Sequence, residues 1–205
     1  GFALTADQMA AGFASVLWPC RVEYLSPQRV ESPKGVGSLQ RLRASSFGAD
    51  SVLVSDGAHN ADSIDRLLES VPELVPGKVV LVFGALSGHS ASGMLDQLAR
   101  LLPRVVTVRS RHPRAIRASD IGDMAREQGL AVIGEHEIVA NGMRRAVETA
   151  GPGEVVLVTG SISVAAEARE WALGIEPECY PNIRPPDDTA ARVTKAGASG
   201  TNAGP

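Results

Sequence analysis

The chain has 205 residues with a formal net charge of -3, 44% hydrophobic and 21% charged residues, a composition typical of one globular domain. The weak negative charge excludes a wholesale polyanion binder. Two cysteines, Cys20 and Cys179, are too few for a disulfide framework and fit a reducing compartment, and no apolar run approaches the ~20 residues needed to cross a bilayer.

In chain order, residues 5–17 read as an amphipathic helix with Thr5 as N-cap and Met9, Phe13 and Val16 facing inward. Residues 21–25 (RVEYL) read as a strand. Residues 26–50, rich in Ser, Pro, Gly and Arg, read as a hairpin or loose loop. Five apolar runs follow, at 51–55, 78–83, 105–108, 130–133 and 154–159. They are nearly all apolar rather than alternating, as in strands covered on both faces. Helical spacing lies between and after them, over 61–71, 90–102, 118–128, 137–150 and 163–173, with Leu102 and Ile138 on inward faces and Gly129 as a C-terminal cap. The alternation predicts an α/β fold: an open, mostly parallel sheet of about six strands with helices on both faces. The tail from Arg184 has no periodicity and a Pro/Gly/Ala/Ser/Thr composition, which predicts disorder over 184–205 after a domain at 1–183.

The start of the chain shows no basic stretch followed by an apolar core, which argues against a signal peptide and for the cytoplasm. It begins at Gly1 rather than Met and reads as a piece of a longer protein.

Candidate chemistry gathers where strands run into helices. Ligands of open α/β sheets sit beyond the carboxyl ends of the strands. Asp56-Gly57-Ala58-His59-Asn60 lies at such a junction: Gly57 permits close backbone approach, Asn60 is a good N-cap, Asp56 can accept hydrogen bonds from a ligand, and His59 can donate or accept near neutral pH. A turn whose polar residues only cap and solvate would read the same way. Gly84-Ala85-Leu86 and Val158-Thr159-Gly160-Ser161 occupy equivalent junctions and can offer backbone N–H groups to an anion. Arg21, after Trp18-Pro19-Cys20, has the planar fork suited to phosphate or carboxylate; Cys20 has no evident base and reads as an inert thiol. Six arginines fall between residues 100 and 117 with no acid among them, which reads as a solvated cationic edge; the run lacks the interleaved aromatics of a nucleic-acid site. Neither phosphate-loop nor dinucleotide glycine spacing occurs, and no spacing suits a metal site.

Taken in order, W-P-C-R (18–21), D-G-A-H-N (56–60), G-A-L (84–86), P-R-A (113–115) and V-L-V-T-G-S…A-A-E-A-R-E-W (156–171) make the chain from about residue 5 to residue 173 resemble the C-terminal domain of folylpolyglutamate synthase / dihydrofolate synthase, of the Mur ligase superfamily. The resemblance implies a Rossmann-like fold and part of an ATP-dependent ligase that adds glutamate to a folate or dihydropteroate acceptor through an acyl phosphate. This domain would close over ATP and Mg2+ held mainly by a P-loop central domain, supplied in cis or in trans. It implies ATP contacts from Arg21 and Asp56 and a catalytic place for His59 near the reacting phosphate or the incoming amino acid. Asn60, Ser161 and Arg114 are the accompanying candidates for substrate contact. No metal ligand, nucleic acid or membrane is expected of this chain, and alone it is expected to be inactive. Arg21→Ala and Asp56→Ala are expected to impair turnover more than stability.

Three departures from the family pattern stand out: Cys20 replaces a glycine, Gly88-His89-Ser90 replaces an acidic D-K-D, and 26–50 is an apparent insertion. A non-catalytic binding module of the same fold is the rival reading. A nucleotide-dependent oxidoreductase, suggested by V-T-G-S alone, is weak without the glycine fingerprint.

Overall fold

The computed structural model describes residues 4–14, 16, 18–25 and 52–177. The predicted insertion at 26–50, the tail at 184–205 and Cys179 lie outside the described residues, as does the side chain of Phe13.

Six strands form one sheet: β1 (Glu23–Tyr24), β2 (Val52–Ser55), β3 (Val79–Phe83), β4 (Arg104–Val108), β5 (Ala131–His136) and β6 (Val155–Thr159), in the order β1-β2-β6-β3-β4-β5. Only β1, at one edge, runs antiparallel to its neighbour. The central strands β3 and β6 are buried at every position. Side chains alternate between two cores. Val54, Leu81, Phe83 and Leu157 pack with Ile64, Leu67, Met94, Leu95, Leu98 and Ile121. Leu53, Val80, Val82, Val106 and Val158 pack with Met143, Ala146, Val164 and Ala168 on the other face. Each such side chain contributes roughly 1.5–3 kcal/mol relative to exposure, which explains why the strands are continuous apolar runs.

The helices are α1 (Ala6–Ala14), α2 (Ala61–Ser70), α3 (Ala91–Ala99), α4 (Ala118–Glu127), α5 (Val139–Thr149) and α6 (Ile162–Leu173). α2, α3 and α4 cover the first face; α5 and α6 cover the second. β6 lies between β2 and β3, yet its following helix goes to the opposite face from theirs. The connections therefore diverge on both sides of β6 at the carboxyl end of the sheet, the topology of a ligand-binding switch point.

Several sequence expectations need correction. Thr5 caps α1 as foreseen, with Gln8 N–H donating to Thr5 Oγ1 at 3.2 Å and Thr5 N–H to Gln8 Oε1 at 2.9 Å, but Met9 and Val16 face solvent rather than the core. The strand expected at 21–25 contracts to two residues because Cys20 and Val22 take left-handed φ values of 61° and 44°. α3 ends at Ala99, so Leu102 falls past the helix, at φ 46° and exposed. Ile138 caps α5 from outside and is also exposed. Four of the six arginines in the run are ion-paired rather than merely solvated. Arg100 pairs with Asp65, Arg104 with Glu154, Arg109 with Glu137, and Arg111 with Glu167 and Glu170. Those acids come from other elements, out of reach of local sequence inspection.

Candidate functional site

The loops after β2, β6 and β3 meet at the carboxyl rim, and each leads into a helix capped by its own polar residue. Asn60 caps α2: its Oδ1 accepts from Ser63 N–H at 2.8 Å, and Ser63 Oγ accepts from Asn60 N–H at 3.1 Å. Ser90 caps α3 and Ser161 caps α6, accepting from Gly93 N–H at 3.1 Å and Val164 N–H at 3.2 Å. Three helix N-termini, each carrying partial positive charge, thus face the same rim. Asn60 was readable from sequence as an N-cap; its reciprocal partner Ser63 was not.

Asp56 is 5% exposed, and both of its oxygens accept backbone N–H groups: Oδ1 from Ala58 at 2.7 Å and Oδ2 from Val22 at 2.8 Å. Gly57 N–H donates to Cys20 carbonyl at 2.8 Å. The Cys20–Val22 turn is therefore fastened to the end of β2 on either side of Arg21. The turn gains a second fastening from Glu23, whose Oε2 accepts from Cys20 N–H at 2.9 Å while both oxygens accept from Arg169 Nε on α6, at 2.9 and 3.1 Å. Arg21 is exposed and has no side-chain partner among the described residues. Gly57 gives a close approach to α6: a Cβ there would lie 2.7 Å from Ile162 Cδ1 and 3.3 Å from Ile162 Cα, so that Ile162 would have to shift.

The glycine expected before Arg21 has left a physical trace. Cys20 occupies the left-handed region that a glycine enters freely, and a residue with a Cβ pays roughly 1–2 kcal/mol there. Burial, followed by the Glu23 charge, pushes the Cys20 thiol up to about 11, so it is protonated at neutral pH and unreactive.

His59 is half-buried. Its Nδ1 lies 3.1 Å from Gly57 carbonyl; a carbonyl only accepts, so Nδ1 carries a proton, and in the neutral ring Nε2 is the nitrogen with the lone pair. The ring of His89 meets it edge to face, with centroids 5.3 Å apart and planes at 76°. No sequence signal marked that pairing, which joins the loops after β2 and β3. Thr159, the last residue of β6, is fully buried and its Oγ1 has no hydrogen-bond partner among the described residues, an unusual condition for a buried hydroxyl. Gly160 follows at φ 104°, where a Cβ would sit 2.6 Å from Gly84 carbonyl oxygen.

The loop after β4 brings Arg114 to the same rim. Ser87 N–H donates to Arg114 carbonyl at 2.7 Å, and Ile116 N–H to Ala85 carbonyl at 3.0 Å. The Arg114 guanidinium lies 4.0 Å from the place a Cβ on Gly88 would occupy. Arg114 and Arg117 are exposed and carry no ion pair among the described residues. His112 Nδ1 accepts from Arg114 N–H at 3.1 Å, and burial with the Arg114 charge lowers the pKa of His112, keeping it neutral. Arg21, Asp56, His59, Asn60, Ser161 and Arg114 thus all lie at the carboxyl end of the sheet. Asp56, Asn60 and Ser161 are already engaged with backbone there. Among the described residues no group of three or more His, Cys, Asp or Glu side chains is placed to hold a metal ion, and no helix is long and apolar enough to cross a membrane.

Known proteins resemble this chain in sequence and in fold. The chain is 29% identical over 166 residues to a probable bifunctional folylpolyglutamate synthase/dihydropteroate synthase of Halobacterium salinarum, covering 80% of this chain and 17% of that protein. It is 25% identical over 172 residues to a folylpolyglutamate synthase of Lacticaseibacillus casei, covering 83% of this chain and 33% of that protein. The chain therefore spans about a sixth to a third of the length of these curated relatives. Its fold matches a bifunctional folylpolyglutamate synthase/dihydrofolate synthase of Yersinia pestis complexed with AMPPNP and Mn ion, with a TM-score of 0.59 at 22% identity, over 80% of this chain and 34% of that one. Residues 40–162 match the family described as Mur ligase, glutamate ligase domain, and the chain belongs to that family.

Proposed function

We propose that this chain is the C-terminal domain of an ATP-dependent ligase that joins glutamate to a folate or dihydropteroate acceptor in the cytoplasm. The observation that carries this reading is the Asp56 clamp. It fixes the Cys20–Val22 turn at the end of β2 and leaves the guanidinium of Arg21 without a partner among the described residues, at a rim lined by helix N-termini. Such a rim suits a polyphosphate. ATP with Mg2+ fits the residues present only in part: Arg21 and the rim can meet phosphate oxygens, whereas a metal would have to be held by another domain. A P-loop central domain, in cis or in trans, is the expected complement.

The chemistry would run in two displacements. The acceptor carboxylate attacks the γ-phosphorus of ATP, releasing ADP and leaving an acyl phosphate. The amine of glutamate then attacks the acyl carbon, an amide bond forms and phosphate departs. Arg21, beside the transferring phosphoryl group, offsets the charge that spreads over its oxygens. Nε2 of His59 has a lone pair with which to take the proton that the attacking amine must lose. Asp56 serves through its hold on the arm that carries Arg21. Arg114 meets a substrate carboxylate, with Asn60 and Ser161 ordering the adjoining helix starts.

The test is ADP release by the complete ligase, dependent on both glutamate and a folate or dihydropteroate acceptor, set beside the chain alone in the same mixture. The complete protein is expected to turn over and the chain alone to remain at the buffer level. Release that ignores glutamate would overturn the proposal.

A further inference from the structure

Glu167 takes no part in the chemistry above, yet it is a carboxylate held at the inner side of a helix with only 11% of its side chain exposed. α6 presents Ser163 and Glu167, four residues apart and so on one face, to the first residues of the loop after β4. Ser110 Oγ lies 3.1 Å from Ser163 Oγ, which lies 3.1 Å from Ser161 Oγ at the start of α6. One residue further on, Arg111 N–H donates to Glu167 Oε1 at 2.7 Å. The Arg111 side chain returns to the same helix, with Nε 3.5 Å from Glu167 Oε1 and Nη2 donating to Glu170 Oε2 at 2.6 Å. On its other side the loop is stitched to the end of β3 by the bonds that flank Arg114. Arg114 is therefore suspended between two anchors, one of backbone and one made by Glu167.

We infer that Glu167 is a positioning residue: by accepting the Arg111 N–H it sets the loop after β4, and with it the place of Arg114 at the amino-acid side of the rim. The inference rests on the reading of Arg114 as a substrate contact. Burying a carboxylate is costly unless its partners are well aimed. Burial indeed pushes Glu167 up to about 7, against the opposing pull of the Arg111 amide and guanidinium and with a smaller push from Glu170. An apolar side chain would pack on this helix face without that penalty, but it could not fix the Arg111 amide.

Two measurements on four variants test this. In the chain itself, amide hydrogen exchange at Arg111 should quicken by about ten-fold or more in Glu167→Ala, the loss of roughly one charge-assisted bond, while β3 amides stay protected. Glu167→Gln, whose side-chain carbonyl still accepts, should stay near wild type. In the complete ligase, Glu167→Ala should raise KM for L-glutamate about ten-fold with kcat within about two-fold, as expected for lost positioning. Glu167→Leu, which fills the vacated space, replaces the alanine variant should that one fold poorly. Unchanged Arg111 exchange, or quicker exchange with an unchanged glutamate KM, would overturn the positioning role. Arg114→Ala separates the two claims. An unaltered KM in that variant sinks the reading of Arg114 itself and the positioning role that depends on it. A raised KM there beside an unaltered one in Glu167→Ala and Glu167→Leu sinks the positioning role alone.

Discussion

The loops after β2 and β4 end at the same rim and treat their charges in opposite ways. After β2, Asp56 is buried with both oxygens bonded to backbone, and Asn60 is closed into its capping box. After β4, Arg114 and Arg117 stand exposed without ion pairs among the described residues, and the fixing is done from outside, by Glu167 on α6 and by Glu137, whose Oε1 accepts from Ala118 N–H at 2.9 Å at the start of α4. A polar residue at a strand end is thus no sure sign of a ligand contact. In the first loop the polar residues build the platform, and the groups left free to act are Arg21 and Nε2 of His59. In the second the free groups are the arginines themselves.

The sharpest way to break that contrast is to remove the platform. Asp56→Ala strands the N–H groups of Val22 and Ala58 and should cost on the order of 2–4 kcal/mol, measured by urea denaturation. Arg21→Ala should cost no more than about 0.5 kcal/mol, because the side chain is exposed and has no partner among the described residues. Set beside the expectation from sequence that both substitutions impair turnover more than stability, this gives Asp56→Ala a large stability cost of its own and makes it a poor probe of nucleotide contact. Ser163→Ala, which has no role on sequence grounds, likewise breaks the hydroxyl chain from Ser110 to Ser161.

The second loop's anchor has a pH signature. The carboxyl of Glu167 is pushed up to about 7, chiefly by burial, from an ordinary value of 4.5. Its contribution to stability is therefore fully present below about pH 4.5 and lost as pH rises through about 7, a change on the order of 3 kcal/mol. Comparing wild type with Glu167→Gln from pH 4.5 to 8 should show the variant gaining on wild type as pH rises. A constant difference across that window would mean the buried carboxyl does not titrate there.

What was legible in the sequence follows from the range of the forces involved. The central strands declare themselves because burial on both faces demands unbroken apolar runs, and D-G-A-H-N declares itself because it joins such a run to a helical period. Nothing local marks Asp56 as the partner of Val22, 34 residues away, or Glu167 as the partner of Arg111, 56 residues away. Arginines at 100, 104, 109 and 111 looked solvated for the same reason. Met9, Leu102 and Ile138 were misplaced because helical spacing indicates a face without saying where the helix stops or what covers it.

Smaller effects refine the arm on the first loop. Cys20→Gly should exceed Cys20→Ala in stability by about 1 kcal/mol, since both remove the thiol and only glycine relaxes at φ 61°. Equal melting of the two variants would show that the turn carries no backbone strain. Deleting residues 184–205 should change stability by less than about 0.5 kcal/mol, as a segment without an apolar face has nothing to dock; a drop beyond that in calorimetry would show that the tail packs on the domain.

The division of labour between the two loops is tested most directly by steady-state kinetics of the complete ligase with ATP and L-glutamate varied separately, for Arg21→Ala and Arg114→Ala. Arg21→Ala is expected to lower kcat/KM for ATP by roughly 10- to 100-fold, the loss of one charge-assisted contact, with the KM for glutamate little altered. Arg114→Ala is expected to do the reverse. Wild-type kinetics in both variants, or the same loss for both substrates in each, would contradict the assignment of nucleotide to the arm after α1 and amino acid to the loop after β4.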